Sequence, residues 1–247
     1  MVQDNLTETR SHYDRFLAGL YLWMAGGSDA NLQENRNFFA GHDLVPQGTR
    51  MAIDLGAGCG FQSIPLAESG FSVAAIDSCR PLLEDLRERA GSMPVEIIPA
   101  DILDFPAWSS RSPELVVCMG DTLTHLPDTV AVLRLIRQCH AELVPGGSLV
   151  LSLRDYSPDP AGSVRVIPVR RDADRIFLCR LEYRKDTVSV TDILFSRLPG
   201  RWERTGSSYT KIRIAPGALL EMLEGAGFAT GFFESGDGVI TVIAKKG

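Results

Sequence analysis

Between Thr7 and Met24 the apolar residues Tyr13, Phe16, Leu17, Leu20, Tyr21 and Met24 recur at intervals of three and four. That spacing predicts an amphipathic helix, which Gly26-Gly27 would end. A second helix is expected over Asp29–Ala40 with Leu32, Phe38 and Phe39 inward, and Pro46-Gln47-Gly48 marks a boundary. Residues 1–46 are therefore expected to form an N-terminal helical cap. Beyond Gly48, short apolar runs alternate with helical stretches. Met51–Leu55, Val73–Ile76, Val95–Ile98, Leu115–Met119 and Ser148–Leu153 read as buried parallel strands. Helices are expected at Phe61–Ser69, Pro81–Ala90 and Val130–Leu143. This alternation predicts right-handed βαβ units in a doubly wound α/β sheet.

The rhythm changes at Tyr156. Val164–Val169, Ile176–Arg184, Val188–Leu198 and roughly Tyr209–Ile214 alternate with period two, and Lys185-Asp186 offers a hairpin turn. Residues 157–214 are expected as an antiparallel β insertion that, with the cap, closes over a pocket. After Pro216 come a helix at Gly217–Glu224 and two strands near Ala229–Glu234 and Val239–Ala244, linked by the hairpin Ser235-Gly236-Asp237-Gly238. The core is then expected to comprise 47–156 and 215–247.

Hydrophobic residues at 45% and charged ones at 23% exclude a disordered or fibrous chain. The net charge of -6 argues against a phosphate-backbone binder, so no nucleic-acid partner is expected. The longest apolar stretch, Phe16 to Gly27, is too short to cross a bilayer, and Asp4 and Glu8 stand where a secretory signal would be basic. The five cysteines Cys59, Cys79, Cys118, Cys139 and Cys179 are scattered and form no C-x-x-C pair. They read as reduced thiols of a cytoplasmic protein, with no membrane partner and no metal site. A homo-oligomer is possible but not indicated.

The sharpest chemical feature is Ile53-Asp54-Leu55-Gly56-Ala57-Gly58-Cys59-Gly60, a strand that ends in an acid and runs into three alternate glycines opening a helix. Glycines there permit positive φ and let a ligand lie against the backbone. The spacing differs from the G-x-G-x-x-G that seats a pyrophosphate, which counts against a nicotinamide oxidoreductase. A carboxylate at Asp54 suits a ligand bearing an ammonium group. Asp77 ends the second strand, where a carboxylate can take both hydroxyls of a ribose or cap the following helix. Asp101 follows the third strand in Ala100-Asp101-Ile102, placed to accept from an adenine amine or to cap its loop. Three acids beside a glycine loop thus share the strand-end edge where open α/β sheets bind ligands.

This constellation resembles the class I S-adenosylmethionine-dependent methyltransferases. The matching stretches are Asp54–Gly60, Asp77, Ala100-Asp101-Ile102, Cys118-Met-Gly-Asp-Thr-Leu-Thr-His-Leu126 and Leu143-Val-Pro-Gly-Gly-Ser-Leu-Val150. The resemblance implies a Rossmann-like seven-stranded sheet of order 3-2-1-4-5-7-6 with strand 7 antiparallel, which the final hairpin would supply. It also implies that S-adenosyl-L-methionine is the cofactor. Gly56 and Gly58 would pack against its amino-acid half, with Asp54, Ala57 and Gly60 in the same loop. Asp77 and neighbouring Ser78 would hold the ribose, Asp101 and the Ile102 backbone the adenine, and Met119 and Gly120 would lie under the methionine.

A narrower likeness is to glycine N-methyltransferases, in Met119-Gly-Asp-Thr-Leu-Thr-His-Leu-Pro-Asp128 and Leu153-Arg-Asp-Tyr156. It implies that Arg154 grips an acceptor carboxylate and that Tyr13 and Tyr21 stand near the sulfonium as catalytic residues. Asp121 and Asp155 replace asparagines of that pattern. His125 is a candidate base, against which a capping or packing role ahead of Pro127 weighs more, and Arg201, Arg204, Lys211 and Arg213 read as a solvated basic face. No Asp/Asn-Pro-Pro-aromatic sequence follows the fourth strand, which counts against methylation of nucleic-acid bases. The expected activity is methyl transfer to a small-molecule amine or carboxylate-bearing metabolite. The rivals are C- or O-methylation of a quinone-like or hydroxylated metabolite, and a cofactor-binding module without catalysis.

Overall fold

The computed structural model describes residues 2–247, with side chains described from Thr7 onward. The first helical rod begins earlier than the apolar period starts. It comprises α1 (Val2–His12), a π-helical turn at Tyr13–Leu17 and α2 (Ala18–Met24), with helical backbone at both joints. A π turn accommodates one residue more than an α turn and recurs at functional sites. Here it buries Leu17 against Phe177 and Leu194 while Tyr13 packs toward a second cluster with Cys59, Cys79 and Leu82. Helix α3 (Asp29–Gly41) follows Gly26 and Gly27, both at positive φ.

Seven strands form the central sheet: β1 (Met51–Leu55), β2 (Ser72–Asp77), β3 (Val95–Pro99), β4 (Leu115–Cys118), β5 (Ser148–Arg154), β10 (Phe228–Gly236) and β11 (Val239–Lys246). Their order is β10-β11-β5-β4-β1-β2-β3. The first five are parallel, and β11 runs antiparallel to both β5 and β10. This is the order expected from the resemblance, with the last strand inserted before the sixth. The closing hairpin turns on Asp237 and Gly238, both at positive φ, as a two-residue loop matched to strand twist requires.

Successive side chains of a strand face opposite sides, and the inner strands are apolar on both. On one side Ile53, Leu55, Val116 and Cys118 pack under α6 (Thr129–Glu142) and α7 (Pro216–Gly225) through Leu135, Ile136, Leu219 and Leu223. On the other, Ala52, Leu115 and Val117 meet Phe39 of α3 and Leu66 of α4 (Ser63–Glu68). Helix α5 (Arg80–Ala90) covers the β2–β3 end with Leu83 and Leu86.

A separate antiparallel sheet has the order β6-β7-β8-β9: β6 (Val164–Arg171), β7 (Arg175–Tyr183), β8 (Thr187–Leu198) and β9 (Arg201–Ile212). Strand β9 starts eight residues before the expected Tyr209, because Arg201–Gly206 are exposed throughout, Trp202 included, and show no alternation. They are nonetheless paired along β8 from Leu198 to Ile193. Pro168 sits in β6, an edge strand, beside a register shift, where a missing N–H is tolerated.

Candidate active site

The carboxyl ends of β1 to β4 open onto a cavity of about 510 Å³, a volume usual for a small-molecule site. Its floor is the loop Gly56–Cys59; its sides include Asp77, Ser78, Asp101, Ile102, Met119, Gly120, Thr122 and His125. The helical rod supplies the roof with Thr7, Thr9, Arg10, Tyr13 and Tyr21. Ala57, Gly58, Tyr13 and Tyr21 therefore lie together on one cavity, as do Gly56, Asp77, Asp101 and Met119.

The three loop glycines differ in what demands them. All have positive φ. A Cβ on Gly56 would stand 2.4 Å from Thr122 Cγ2 and Oγ1, and one on Gly60 would stand 2.2 Å from Leu86 Cδ1. At Gly58 the nearest atom is Leu82 Cδ1 at 3.8 Å, and at Gly120, φ +70, nothing lies within 4 Å. Gly56 and Gly60 thus answer a packing need, while a side chain at Gly58 or Gly120 would enter open space.

Asp77 is held by the loop it faces. Its Oδ2 accepts from the Gly58 N–H at 2.8 Å and its Oδ1 from the Cys79 N–H at 2.7 Å. Burial raises the carboxyl above its ordinary range, and the Cys79 and Gly58 bonds oppose that rise. The carboxylate faces the cavity and braces the turn into α5, whose N-cap is Cys79, with no side chain bonded to its first helical N–H groups. Asp101 is exposed, and its Oδ1 accepts from the Leu103 N–H at 2.8 Å. Ile102 is anchored by Trp108, whose indole N–H donates to the Ile102 carbonyl at 3.0 Å.

Three predicted residues stand off the wall. Asp54 is only 1% exposed and lies behind the loop, where Ser63 Oγ donates to it at 2.6 Å; burial pushes its carboxyl up to about 7. Gly60 is likewise spent inside against Leu86. Arg154 is exposed at the end of β5 and is not among the lining residues; its backbone N–H donates to Asp121 Oδ1 at 3.0 Å.

Tyr13 and Tyr21 have ring centroids 6.5 Å apart. Burial, more than any neighbouring charge, raises both phenols far above their ordinary range, so they remain protonated donors. Tyr13 Oη lies 3.2 Å from His125 Nε2. His125 is half-buried with its ring facing inward, and desolvation, followed by Lys211, pushes its imidazole down to about 3. Its Nδ1 is buried with no hydrogen-bond partner. Behind it Tyr209 stacks at 5.4 Å between centroids.

Lys211 corrects the solvated-face reading: it is 7% exposed and ion-paired to buried Asp121. The alternation that places Tyr209 inward also places Lys211 inward, a signal available in the sequence. The β insertion supplies none of the cavity's lining residues among those described; Tyr209 and Lys211 stand behind it.

The wall fits S-adenosylmethionine. Gly58 and Gly120 leave bare backbone facing the cavity, Asp77 presents a braced acid, and Tyr21 and Tyr13 offer neutral hydroxyls. No group of His, Cys, Asp and Glu among the described residues is arranged to hold a metal ion. No helix of the described residues is long and apolar enough to cross a membrane.

Comparison with known proteins agrees with this geometry. The chain is 29% identical over 142 residues to the cypemycin N-terminal methyltransferase of a Streptomyces species, covering 53% of this chain and 57% of that protein. It is 30% identical over 126 residues to the glycine N-methyltransferase of Rattus norvegicus, covering 46% and 43% respectively. The chain spans about half the length of the curated relatives it matches. The CcbJ methyltransferase from Streptomyces caelestis has the same fold, with a TM-score of 0.81 at 21% identity over 96% of this chain and 98% of that one. Residues 52–147 match the family described as a methyltransferase domain. That match runs from within β1 to the residue before β5, over the strands whose ends build the cavity, so the part of the chain that resembles a methyltransferase domain is the part that forms the site.

Proposed function

We propose that this protein transfers the methyl group of S-adenosylmethionine to the nitrogen of a small-molecule amine. The observation that carries the reading is the uncharged Tyr13–His125 pair, 3.2 Å apart and half-buried at the cavity wall. Bound along the Gly58–Asp77 side, the cofactor supplies an electrophilic methyl on a sulfonium. The attacking atom needs a free lone pair, so an ammonium must first lose its proton. A wall holding a protonated imidazole would repel the cationic form at entry, whereas neutral His125 and Tyr13 can hydrogen-bond an amine N–H. With its conjugate acid near 3, His125 is too weak a base to keep that proton at neutral pH. Its role is to orient the lone pair, and the proton passes on to solvent. Alignment of this kind can supply up to about 7–11 kcal/mol of a barrier.

An acceptor carboxylate is not needed for this binding mode. Arg10, at the rim, is the one arginine or lysine among the described lining residues, and Arg154 is absent from them. Relatives named for glycine N-methylation and for O-methylation in ubiquinone biosynthesis both match the chain, so the choice of nitrogen rests on the uncharged pair at the wall. The test is a panel of primary and secondary amines beside phenols and quinols, with S-adenosylhomocysteine and methylated product read by mass spectrometry. Turnover of amines is the expected outcome. Turnover of hydroxylated aromatics alone, or binding without turnover of any compound, overturns the reading.

A further inference from the structure

We infer, resting on the amine reading above, that Lys211 and Asp121 form a positioning pair for the acceptor: they fix the turn Thr122–His125 at the cavity and keep the wall presented by His125 and Tyr13 free of net charge.

The geometry starts with Asp121. It is 8% exposed and adopts a left-handed backbone, φ 74 and ψ 12, which a non-glycine residue holds only when its surroundings enforce it. Four donors enforce it. Lys211 Nζ and Tyr156 Oη, the latter at 2.9 Å, reach Oδ2; Thr124 Oγ1 at 2.9 Å and the Arg154 N–H at 3.0 Å reach Oδ1. One carboxylate therefore ties together the turn after β4, the end of β5 and the insertion strand β9. The turn so fixed carries both Thr122, which packs on Gly56, and His125, which meets Tyr13.

Packing alone does not account for charges at this spot, because apolar side chains of similar volume commonly serve as well as a buried ion pair. The difference lies in what the pair does to its neighbours. His125 is faced by Lys211 and Asp121, by His12, and by the rings of Tyr13 and Tyr209. Lys211 disfavours an imidazolium and Asp121 favours one, with burial adding to the first. The rings of Tyr156 and Tyr209, 5.9 and 5.7 Å from Lys211 Nζ, further suit a cation held in place there. Removing Lys211 alone would leave Asp121 as the unopposed charge, and the cluster would bind a proton. Three hydrogen bonds still stabilise the Asp121 carboxylate, so that proton goes to His125.

The test is NMR of histidine-labelled protein saturated with S-adenosylhomocysteine, with His125→Asn identifying the ring signal. No acceptor is used, so failure of amine turnover and failure of this inference are separate results. In the wild type the His125 ring stays unprotonated down to pH 5. In Lys211→Met its titration midpoint rises by about 1–3 units, the usual effect of one close charge. Lys211→Gln, whose amide still donates to Asp121, shows the same rise should the methionine variant not fold. The double variant Asp121→Asn/Lys211→Met returns the midpoint to within about one unit of the wild type, since neither charge remains. A midpoint unmoved in the single variants, or moved equally in the double one, overturns the inference and leaves the pair as packing.

Discussion

Replacing Asp77 by asparagine separates the two jobs that one carboxylate does here. Oδ1 and Oδ2 each accept one backbone N–H, from Cys79 at 2.7 Å and Gly58 at 2.8 Å. An asparagine keeps one oxygen and turns an NH2 toward the other donor, so one charge-assisted bond is lost. Such a bond contributes about 1.5–3 kcal/mol, a tolerable fraction of a domain's roughly 5–15 kcal/mol. Alanine would lose both bonds, about twice as much, and confuse unfolding with weak binding. Stability without cofactor, read by urea titration, should therefore fall by about 1.5–3 kcal/mol in Asp77→Asn. If the same carboxylate also receives the ribose hydroxyls, the dissociation constant of S-adenosylhomocysteine rises roughly ten- to a hundredfold in calorimetry. A folded variant of reduced stability that binds within twofold of the wild type would refute the ribose role and leave Asp77 as a brace for the glycine loop. Reduced binding with unchanged stability would refute the brace.

Three other outcomes follow from the same geometry. Gly56→Ala should cost roughly 2–5 kcal/mol in a urea titration, combining left-handed strain with the clash against Thr122, and Thr122→Ala in the same chain should restore only the clash part. Asp54, raised to about 7 by burial, binds a proton more readily folded than unfolded, so its contribution is complete below about pH 4 and is lost as pH rises through about 7. Across that window the wild type should lose stability with a slope of up to about 1.4 kcal/mol per pH unit that Asp54→Asn lacks; equal slopes in the two proteins would show Asp54 to be charged in the fold. Tyr13→Phe should raise the KM of the best amine about tenfold while the dissociation constant of S-adenosylhomocysteine stays within twofold, and an equal loss in both would move Tyr13 from the acceptor to the cofactor.

The central sheet was legible because its information is local. Parallel strands buried on both faces, such as Leu115–Cys118, are short unbroken apolar runs, and the glycine loop sits at a strand end wherever such a strand is found. What escaped was set by contacts between distant positions. The π turn at Tyr13–Leu17 leaves no trace in a period of three and four. The first half of β9 is exposed on both faces and is held as a strand by its pairing with β8. The likeness of a short segment points Arg154 at the acceptor, but Arg154 is the last residue of β5, on the face opposite buried Leu153, and its side chain is exposed. Lys211 was weighed with three arginines as a charge run, although its period-two partner Tyr209 already marked the inward face. The carboxylate that makes its burial possible lies ninety residues away.

That distance bears on how the glycine motif itself should be understood. Of its three glycines, Gly56 is demanded by Thr122 and Gly60 by Leu86, whether or not any ligand is present. Thr122 stands in the turn that Asp121 fixes, and Asp121 is held by Lys211 of the insertion and by Tyr156. The floor under the cofactor side and the wall on the acceptor side are therefore successive layers of one packing arrangement, with Gly56 against Thr122 as their contact. A disturbance at Lys211 can then reach the glycine loop through its ion pair with Asp121 and the packing of the adjoining Thr122 on Gly56, whereas exposed Arg154 is bonded to the cluster through its backbone N–H. Arg154→Ala preserves that N–H, so it should leave both cofactor and amine binding within twofold, measured by calorimetry and steady-state kinetics. A tenfold rise in the KM of the best amine would instead return Arg154 to the acceptor site and require the end of β5 to swing inward.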